Sequence, residues 1–396
     1  MTARFLLTTL ASLLLANAGF AQAYEQRSGS NLDDCVEALN AQGGGWCEIR
    51  VSDKHPSISS VWPWDIGGRT KMNSGPKSVL TTWNSAAFDE RNLLMYFMGG
   101  GHADYGGNEV YEFDLRAGKW TRLTDPSPLD HVYRYGKKLC WTTDARSVPP
   151  SVHTYDGLQF SKVSQTIFLI MVGPASGACF TPKEGEFEDD PRVLPRLGGI
   201  YEFNPSRTEE RDGLAPLSWR FVKRETERLG YPRFLELPDG SLMVGSQSTM
   251  HRFDPTTGDI GKAFWQEGNK GDGLAEYHPL GLALSIHRNV LLIRDVKLGF
   301  GKKVPTPEAH GKSIAIDKDG IVFTWDGRNQ IWTLDLTQPE LRWVHHDWTK
   351  TGPKKGDKTR VYGKWQYITA HDVFVGLSRH DTGVWIYKHP ADMPVR

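Results

Sequence analysis

The sequence is short of charge imbalance, cysteine, long apolar runs and helical patterning. Lysine plus arginine equals aspartate plus glutamate, 47 each, so no overall field draws the chain to nucleic acid or to an anionic membrane. Beyond the N-terminal segment no stretch reaches the roughly 18 apolar residues of a membrane helix, and membrane insertion is not expected. Amphipathic helical patterns are scarce, Asn31 to Leu39 being a modest exception. There is no Pro/Ser-rich linker or charge block to divide the 396 residues. Neither a G-x-S-x-G nor a zincin-type histidine motif occurs. The acidic stretch from Lys183 to Arg196 lacks the alternating spacing of an EF-loop and reads as a solvated loop.

What is present is glycine, tryptophan and alternation. Arg4 precedes an apolar run from Phe5 to Ala16, and Ala21-Gln22-Ala23 has the small residues of a cleavage site. Residues 1–23 therefore read as a signal peptide, Tyr24 as the first mature residue, and the periplasm or the exterior as the destination. Residues 24–396 read as one domain rich in turns, with 41 glycines and 14 tryptophans.

The stretch Leu93 to Trp120 gives an apolar run, a glycine cluster, an alternating run ending at Asp114, a turn and a Trp-led run, the pattern of consecutive antiparallel strands. Looser copies recur at Ile200–Asn204 before Trp219, Met250–Asp254 before Trp265, and Ile331–Asp335 before Trp343. A four-strand unit that cannot bury both faces alone must pack on its neighbours, and radial repetition of such units is a β-propeller. With Gly99-Gly100, Tyr111, Asp114 and Trp120 in place, the first copy resembles a kelch repeat, the architecture shared with galactose oxidase. The recurring tryptophans Trp120, Trp219, Trp265 and Trp343 are expected between blades. Trp62 and Trp64 fall outside that register and are candidates for stacking on a sugar, whereas His345-His346 on an outer strand is expected at the surface.

The fold class is thus all-β, a propeller of four-stranded antiparallel blades. Apolar runs around a polar turn count six inner hairpins: Ala86 to Leu93, Leu158 to Ile167, Phe234 to Leu242, Leu282 to Val290, Ile314 to Ile321, and Tyr367 to Val373. The fourth lacks clean third and fourth strands between Asp295 and Pro305, which leaves a degenerate seventh blade open. The last blade stops at its third strand, Gly383 to Tyr387. Gly45 to Val51, Trp-led and alternating, is expected to supply the fourth and so close the ring. Four cysteines in an exported chain read as disulfides. Cys35 with Cys47 and Cys140 with Cys179 is the economical pairing of the three, and without a paired C-x-x-C zinc is the weaker rival.

In a propeller, the segments leading into each innermost strand share one face with the loops joining second to third strands. The first kind brings His153 with Tyr155, Tyr231 with Arg233, His278, His310 and Trp365. The second brings His102, Asp104, Tyr105 and Asn108, then Arg328 and Asn329, then Arg379, His380 and Asp381. Taken singly, each has an ordinary structural role open to it, His102 in a glycine-permitted turn and the other histidines as satisfied core groups. Taken together, they converge on one mouth.

That mouth suggests a protein acting on a polysaccharide or other glycan. In the enzymatic reading, His102, His153, Tyr155 and Arg233 are catalytic and His278, His310, Arg328, Trp365 and His380 bind substrate. β-Elimination at an acidic sugar needs a donor for the carboxylate, a base near neutral pKa and an acid for the leaving oxygen, which Arg, His and Tyr supply. In composition the set is similar to the His/Tyr/Arg centres of propeller-fold polysaccharide lyases of the ulvan lyase type, though no motif aligns and no residue role is carried over. No cofactor is required. Two other readings stay open: a non-catalytic glycan- or ligand-binding propeller, and a metal-dependent centre on the histidines.

Overall fold

The computed structural model describes residues 24–51, 58–62, 76–100, 105, 107–127, 132–135, 139–142, 148–171, 199–224, 232–237, 239–245, 249–266, 271–277, 280–287, 289–295, 301–307, 313–354, 356 and 361–395. Among them six antiparallel sheets form the blades of a propeller. Named from the inside outward, blade 1 is Ala87–Asp89, Leu94–Phe97, Tyr111–Asp114 and Lys119–Arg122. Blade 2 is Leu158–Ser161, Thr166–Met171, Gly199–Phe203 and Trp219–Arg224; blade 3 is Arg233–Glu236, Leu242–Gly245, Thr249–Phe253 and Ile260–Gln266. Blade 4 is Gly271–Tyr277, Leu282–His287, Val290–Asp295 and Gly301–Pro305; blade 5 is Ala315–Ile316, Ile321–Trp325, Gln330–Asp335 and Trp343–Asp347. Blade 6 takes Trp365–Ile368, Val373–Gly376 and Val384–Lys388 from the C-terminal end of the chain.

The outer strand of blade 6 is Gly45–Ile49, antiparallel to Val384–Lys388 with Gly45 opposite Lys388 and Ile49 opposite Val384. The ring is therefore closed by the N-terminal strand, as the alternation predicts. A short fifth strand, Arg27–Gly29, runs parallel beyond it. Between the two lies the helix Leu32–Gln42, started by the Asn31 side chain accepting from the Asp34 N–H and ended by Gly43 at φ 82°. Its Cys35 is disulfide-bonded to Cys47 of the closing strand, and Leu32 N donates to the Leu115 carbonyl of blade 1. Cys179 and the side chain of Cys140 lie outside the described residues.

Alternation along the strands sends successive side chains to opposite neighbours, so the core divides into clusters, one at each blade interface. Phe374 and Tyr387 of blade 6 pack with Phe323 and Trp325 of blade 5. Val373, Val375 and Ile386 face the other way, onto Phe97, Phe113 and Trp120 of blade 1. Tyr96 with Phe160 joins blades 1 and 2, Phe168 with Phe234 blades 2 and 3, Met243 with Ala283 blades 3 and 4, and Leu291 with Val322 blades 4 and 5. Trp120 and Trp219 are buried as the repeat predicts, and Trp343 reaches back to donate to the Pro305 carbonyl of blade 4.

Three expectations change. The fourth inner hairpin is misplaced by one strand: Leu282–His287 and Val290–Asp295 are the second and third strands of blade 4, because Gly271–Tyr277 stands inside them. Blade 4 is consequently complete. Trp62 is no surface platform, being 5 % exposed with its ring 4.6 Å from that of Tyr105; Trp64 lies outside the described residues. His346 is buried, not superficial, and shares a hydrogen bond with Thr333.

Candidate functional site at the propeller mouth

The turns leading into the innermost strands of blades 6, 1 and 2 are tied together by hydrogen bonds. Tyr155 N donates to the Trp83 carbonyl at 2.8 Å, Thr154 N to Asn84 Oδ1 at 3.0 Å, and Ser85 N to Thr154 Oγ1 at 2.7 Å. Gly363 N donates to Ser85 Oγ at 3.1 Å, and the buried Lys364 ammonium donates to the Asn84 carbonyl. Asp156 then forms a bridge to Arg233, the first residue of blade 3. A β-carbon on Gly363 would meet Ser85 Oγ at 2.3 Å, so glycine is what lets these turns approach.

On this platform His153 Nδ1 lies 3.3 Å from Tyr155 Oη. The sequence places the two on one face of an extended strand. In the structure Tyr155 sits in a turn at φ 46°, so the pair meets without strand alternation. His153 is 7 % exposed and Arg233 4 %. Asp156, Arg233 and Lys364 are all buried on these turns.

Of the other sequence candidates, Trp365 stands elsewhere. It is the first residue of the innermost strand of blade 6, fully buried, stacked on Phe374 at 5.0 Å and donating to the Phe323 carbonyl. Its side chain fills the blade 5–6 interface, so it is unavailable to substrate. Arg328 and His380 are on second-to-third-strand loops of the same face, farther out along blades 5 and 6 because those loops follow the second strand. Arg328 is exposed, and His380 is half-buried beside the Arg379–Asp381 ion pair. Tyr105 and Asn108 are buried supports: Tyr105 donates to Glu109 at 2.6 Å and Asn108 to Ser127 Oγ at 3.0 Å. His102, Asp104, Tyr231, His278 and His310 lie outside the described residues. Among the described residues no group of three or more His, Cys, Asp or Glu is gathered to hold a metal ion.

The structure adds residues that the sequence reading passed over. Trp83, 39 % exposed, has its ring 5.1 Å from His153, and Tyr362 has its ring 6.0 Å from Tyr155. A signal was available, since Trp83-Asn84, Tyr155-Asp156 and Tyr362-Gly363 all occur three or four residues before an innermost strand. Beneath the mouth runs a channel of about 310 Å³, walled in part by Phe88, Phe160, Phe234 and Tyr367. At its far end Glu236 accepts from Ser161, Lys162 N and Val163 N, and Glu90 accepts from Thr369 N and Lys162. Burial alone would raise the Glu90 pKa, but its hydrogen bonds from Thr369 and the charge of Lys162 outweigh that and leave it lowered.

No protein-family model matches the chain, and no curated protein matches it. Among solved structures, it is similar to a chain of the mitotic checkpoint complex, with 10 % identity over 79 % of this chain and 89 % of that one and a TM-score of 0.43. It is also similar to a catalytically inactive virginiamycin B lyase from Staphylococcus aureus, crystallised with quinupristin, with 11 % identity over 80 % of this chain and 97 % of that one and a TM-score of 0.44.

Proposed function

We propose that the protein cleaves an acidic polysaccharide by β-elimination at the propeller mouth. The observation that carries this reading is the His153–Tyr155 pair, 3.3 Å apart, on a platform of linked turns that also holds the buried Arg233 and Lys364. The cations favour the uronate carboxylate and the charge that builds on it as the adjacent C–H bond breaks. One member of the His–Tyr pair takes that proton, the C–H electrons become the new carbon–carbon double bond, and the glycosidic C–O bond breaks. The leaving oxygen receives a proton from the other member or from His102 on the glycine-rich loop. Export to the periplasm or exterior belongs to the same proposal, supported by the N-terminal apolar run and the Cys35–Cys47 disulfide. So does a kelch-type repeat, supported by Gly99-Gly100, Tyr111, Asp114 and Trp120.

A second reading, glycan binding without catalysis, is favoured by the exposed Trp83 indole at the rim. One experiment separates the two. The purified protein is given polygalacturonate, alginate and hyaluronan with a metal chelator, and the ultraviolet absorbance of the unsaturated uronate is followed. A steady rise supports elimination. Saturable binding with no rise moves the assignment to the binding protein, and a rise abolished by chelator moves it to a metal centre.

A further inference from the structure

Where blades 1 and 2 meet, two residues stand in left-handed backbone, Trp83 at φ 52° and Tyr155 at φ 46°, joined by the bond from Tyr155 N to the Trp83 carbonyl. Such backbone is uphill for residues other than glycine and persists only where its surroundings over-determine it. At this junction the residue that does so is Asn84.

Asn84 is fully buried. Its Oδ1 accepts from Thr154 N at 3.0 Å, and its Nδ2 donates to the Ser78 carbonyl at 2.9 Å and the Val79 carbonyl at 3.1 Å. Its main-chain carbonyl accepts from the Lys364 ammonium. One residue thereby joins the short helix Pro76–Leu80, the blade 6 turn, and Thr154, which stands between His153 and Tyr155 in the chain. The double glycine of blade 1 backs onto the same point. A β-carbon on Gly99 would stand 3.3 Å from Asn84 Oδ1, and Gly100 N donates to the Val152 carbonyl at 3.2 Å. Accepting from one N–H while donating to two carbonyls is within reach of a carboxamide and of neither a carboxylate nor a hydroxyl.

We propose that Asn84 is a positioning residue for the His153–Tyr155 pair, an assignment whose catalytic consequence rests on the elimination reading. The two blades are already joined on either side of it, by Ser85 N to Thr154 Oγ1 and by Tyr155 N to the Trp83 carbonyl. What Asn84 adds is a fixed place for Thr154 relative to the helix, and so for the two side chains that flank Thr154.

The test uses Asn84→Ser and Tyr155→Phe, singly and together, with Asn84→Asp as a second variant that keeps the acceptor for Thr154 N. On whichever of polygalacturonate, alginate and hyaluronan the wild type cleaves, Asn84→Ser should lower kcat about 10²-fold, the scale of a misplaced reacting group, with KM within about twofold. The double variant should be no more than about threefold slower than either single one, because a pair already broken is not broken again. Losses that multiply in full, or a change confined to KM, overturn the assignment while leaving elimination standing. A second readout needs no turnover: the His153 ring signal in NMR spectra of histidine-labelled protein, identified by its loss in His153→Ala. Its position and pH midpoint should move in Tyr155→Phe and move in the same direction in Asn84→Ser. A signal indifferent to Asn84→Ser overturns the positioning role, and if the wild type cleaves none of these glycans, elimination falls and this signal alone decides Asn84. Failure of both Asn84 variants to fold would assign the residue to the fold and overturn the proposal.

Discussion

The Tyr155 main-chain N–H donates to the carbonyl oxygen of Trp83 at 2.8 Å, so two adjacent blades are joined at their lead-in turns by a bond in which neither the Tyr155 nor the His153 side chain takes part. Side-chain changes at the mouth should therefore alter chemistry with little effect on the fold. Tyr155→Phe keeps the ring against Tyr362 and removes only the hydroxyl that meets His153. It should lower the elimination rate by on the order of 10²-fold, as should His153→Ala. Melting temperatures should stay within a few degrees of the parent. A large thermal loss accompanying the rate loss would assign the pair a structural role instead.

Gly99 tests how the mouth is built. At φ 99° its β-carbon would stand 2.5 Å from the Val152 carbonyl, just before His153. Gly99→Ala should cost about 2–3 kcal/mol, combining backbone strain with displacement of the Val152 segment, and activity should fall with it. Gly213, at φ 72° with nothing within 4 Å, is the control; its alanine variant should cost only about 1 kcal/mol. Equal losses in thermal melts would mean that the approach to Val152 is not tight.

Acid should weaken the seam between blades 5 and 6. Burial pushes the His346 imidazole down to about 3, helped by like charge from His389 and His345. Burial likewise takes His389 down to about 4 against the pull of Met393 O and Asp392. Unfolded histidines titrate near 6.5, so below that pH the unfolded chain binds protons that the folded one refuses. The stability these neutral rings contribute is present above about pH 6.5 and is lost progressively toward about pH 4, each group adding a slope of up to ~1.4 kcal/mol per pH unit. Melting temperatures between pH 7.5 and 5 should fall less steeply in His346→Gln than in the parent; parallel curves would assign the acid sensitivity to other groups.

Ring closure gives the fourth prediction. Deleting the N-terminal residues through Arg50 removes Gly45–Ile49 and exposes the edge of Val384–Lys388. Cooperative unfolding should be lost, whereas Cys35→Ser, which cuts only the tie from helix to strand, should cost about 2–4 kcal/mol and keep a single transition. Calorimetry distinguishes the two, and a sharp melt of the truncated chain near the parent temperature would count against closure by this strand.

The sequence made the blades legible where alternation is strong and misled where burial follows other rules. Leu282–His287 and Val290–Asp295 are the more apolar pair because second and third strands lie sandwiched between blades. The true innermost strand of blade 4, Gly-Asp-Gly-Leu-Ala-Glu-Tyr, carries no apolar alternation, unlike the innermost strands of the other blades. His346 reads as superficial from its strand, but the returning C-terminal segment covers it, with its hydroxyl partner Thr333 also accepted by Val395 O. Of the site, His153, Tyr155 and Arg233 were legible from their place before inner strands. Trp83 was not, because a tryptophan in a repeat rich in core tryptophans reads as core until its exposure is known.

Closure by Gly45–Ile49 also sets the order of events in the life of the chain. Glu48 accepts from Gly383 N across 335 residues of sequence, so the joint that makes the ring a ring is among the last contacts any emerging chain can form. Blades 1 to 5 have each partner strand nearby and can assemble as they appear, while the N-terminal strand must wait, tethered through Cys35 and the helix. Loop-closure entropy then falls almost wholly on one step, which makes a slow final phase the expectation for refolding. Until that step, Gly45–Ile49 and Val384–Lys388 are two unpaired edges within a single molecule, each able to pair with the complementary edge of another copy.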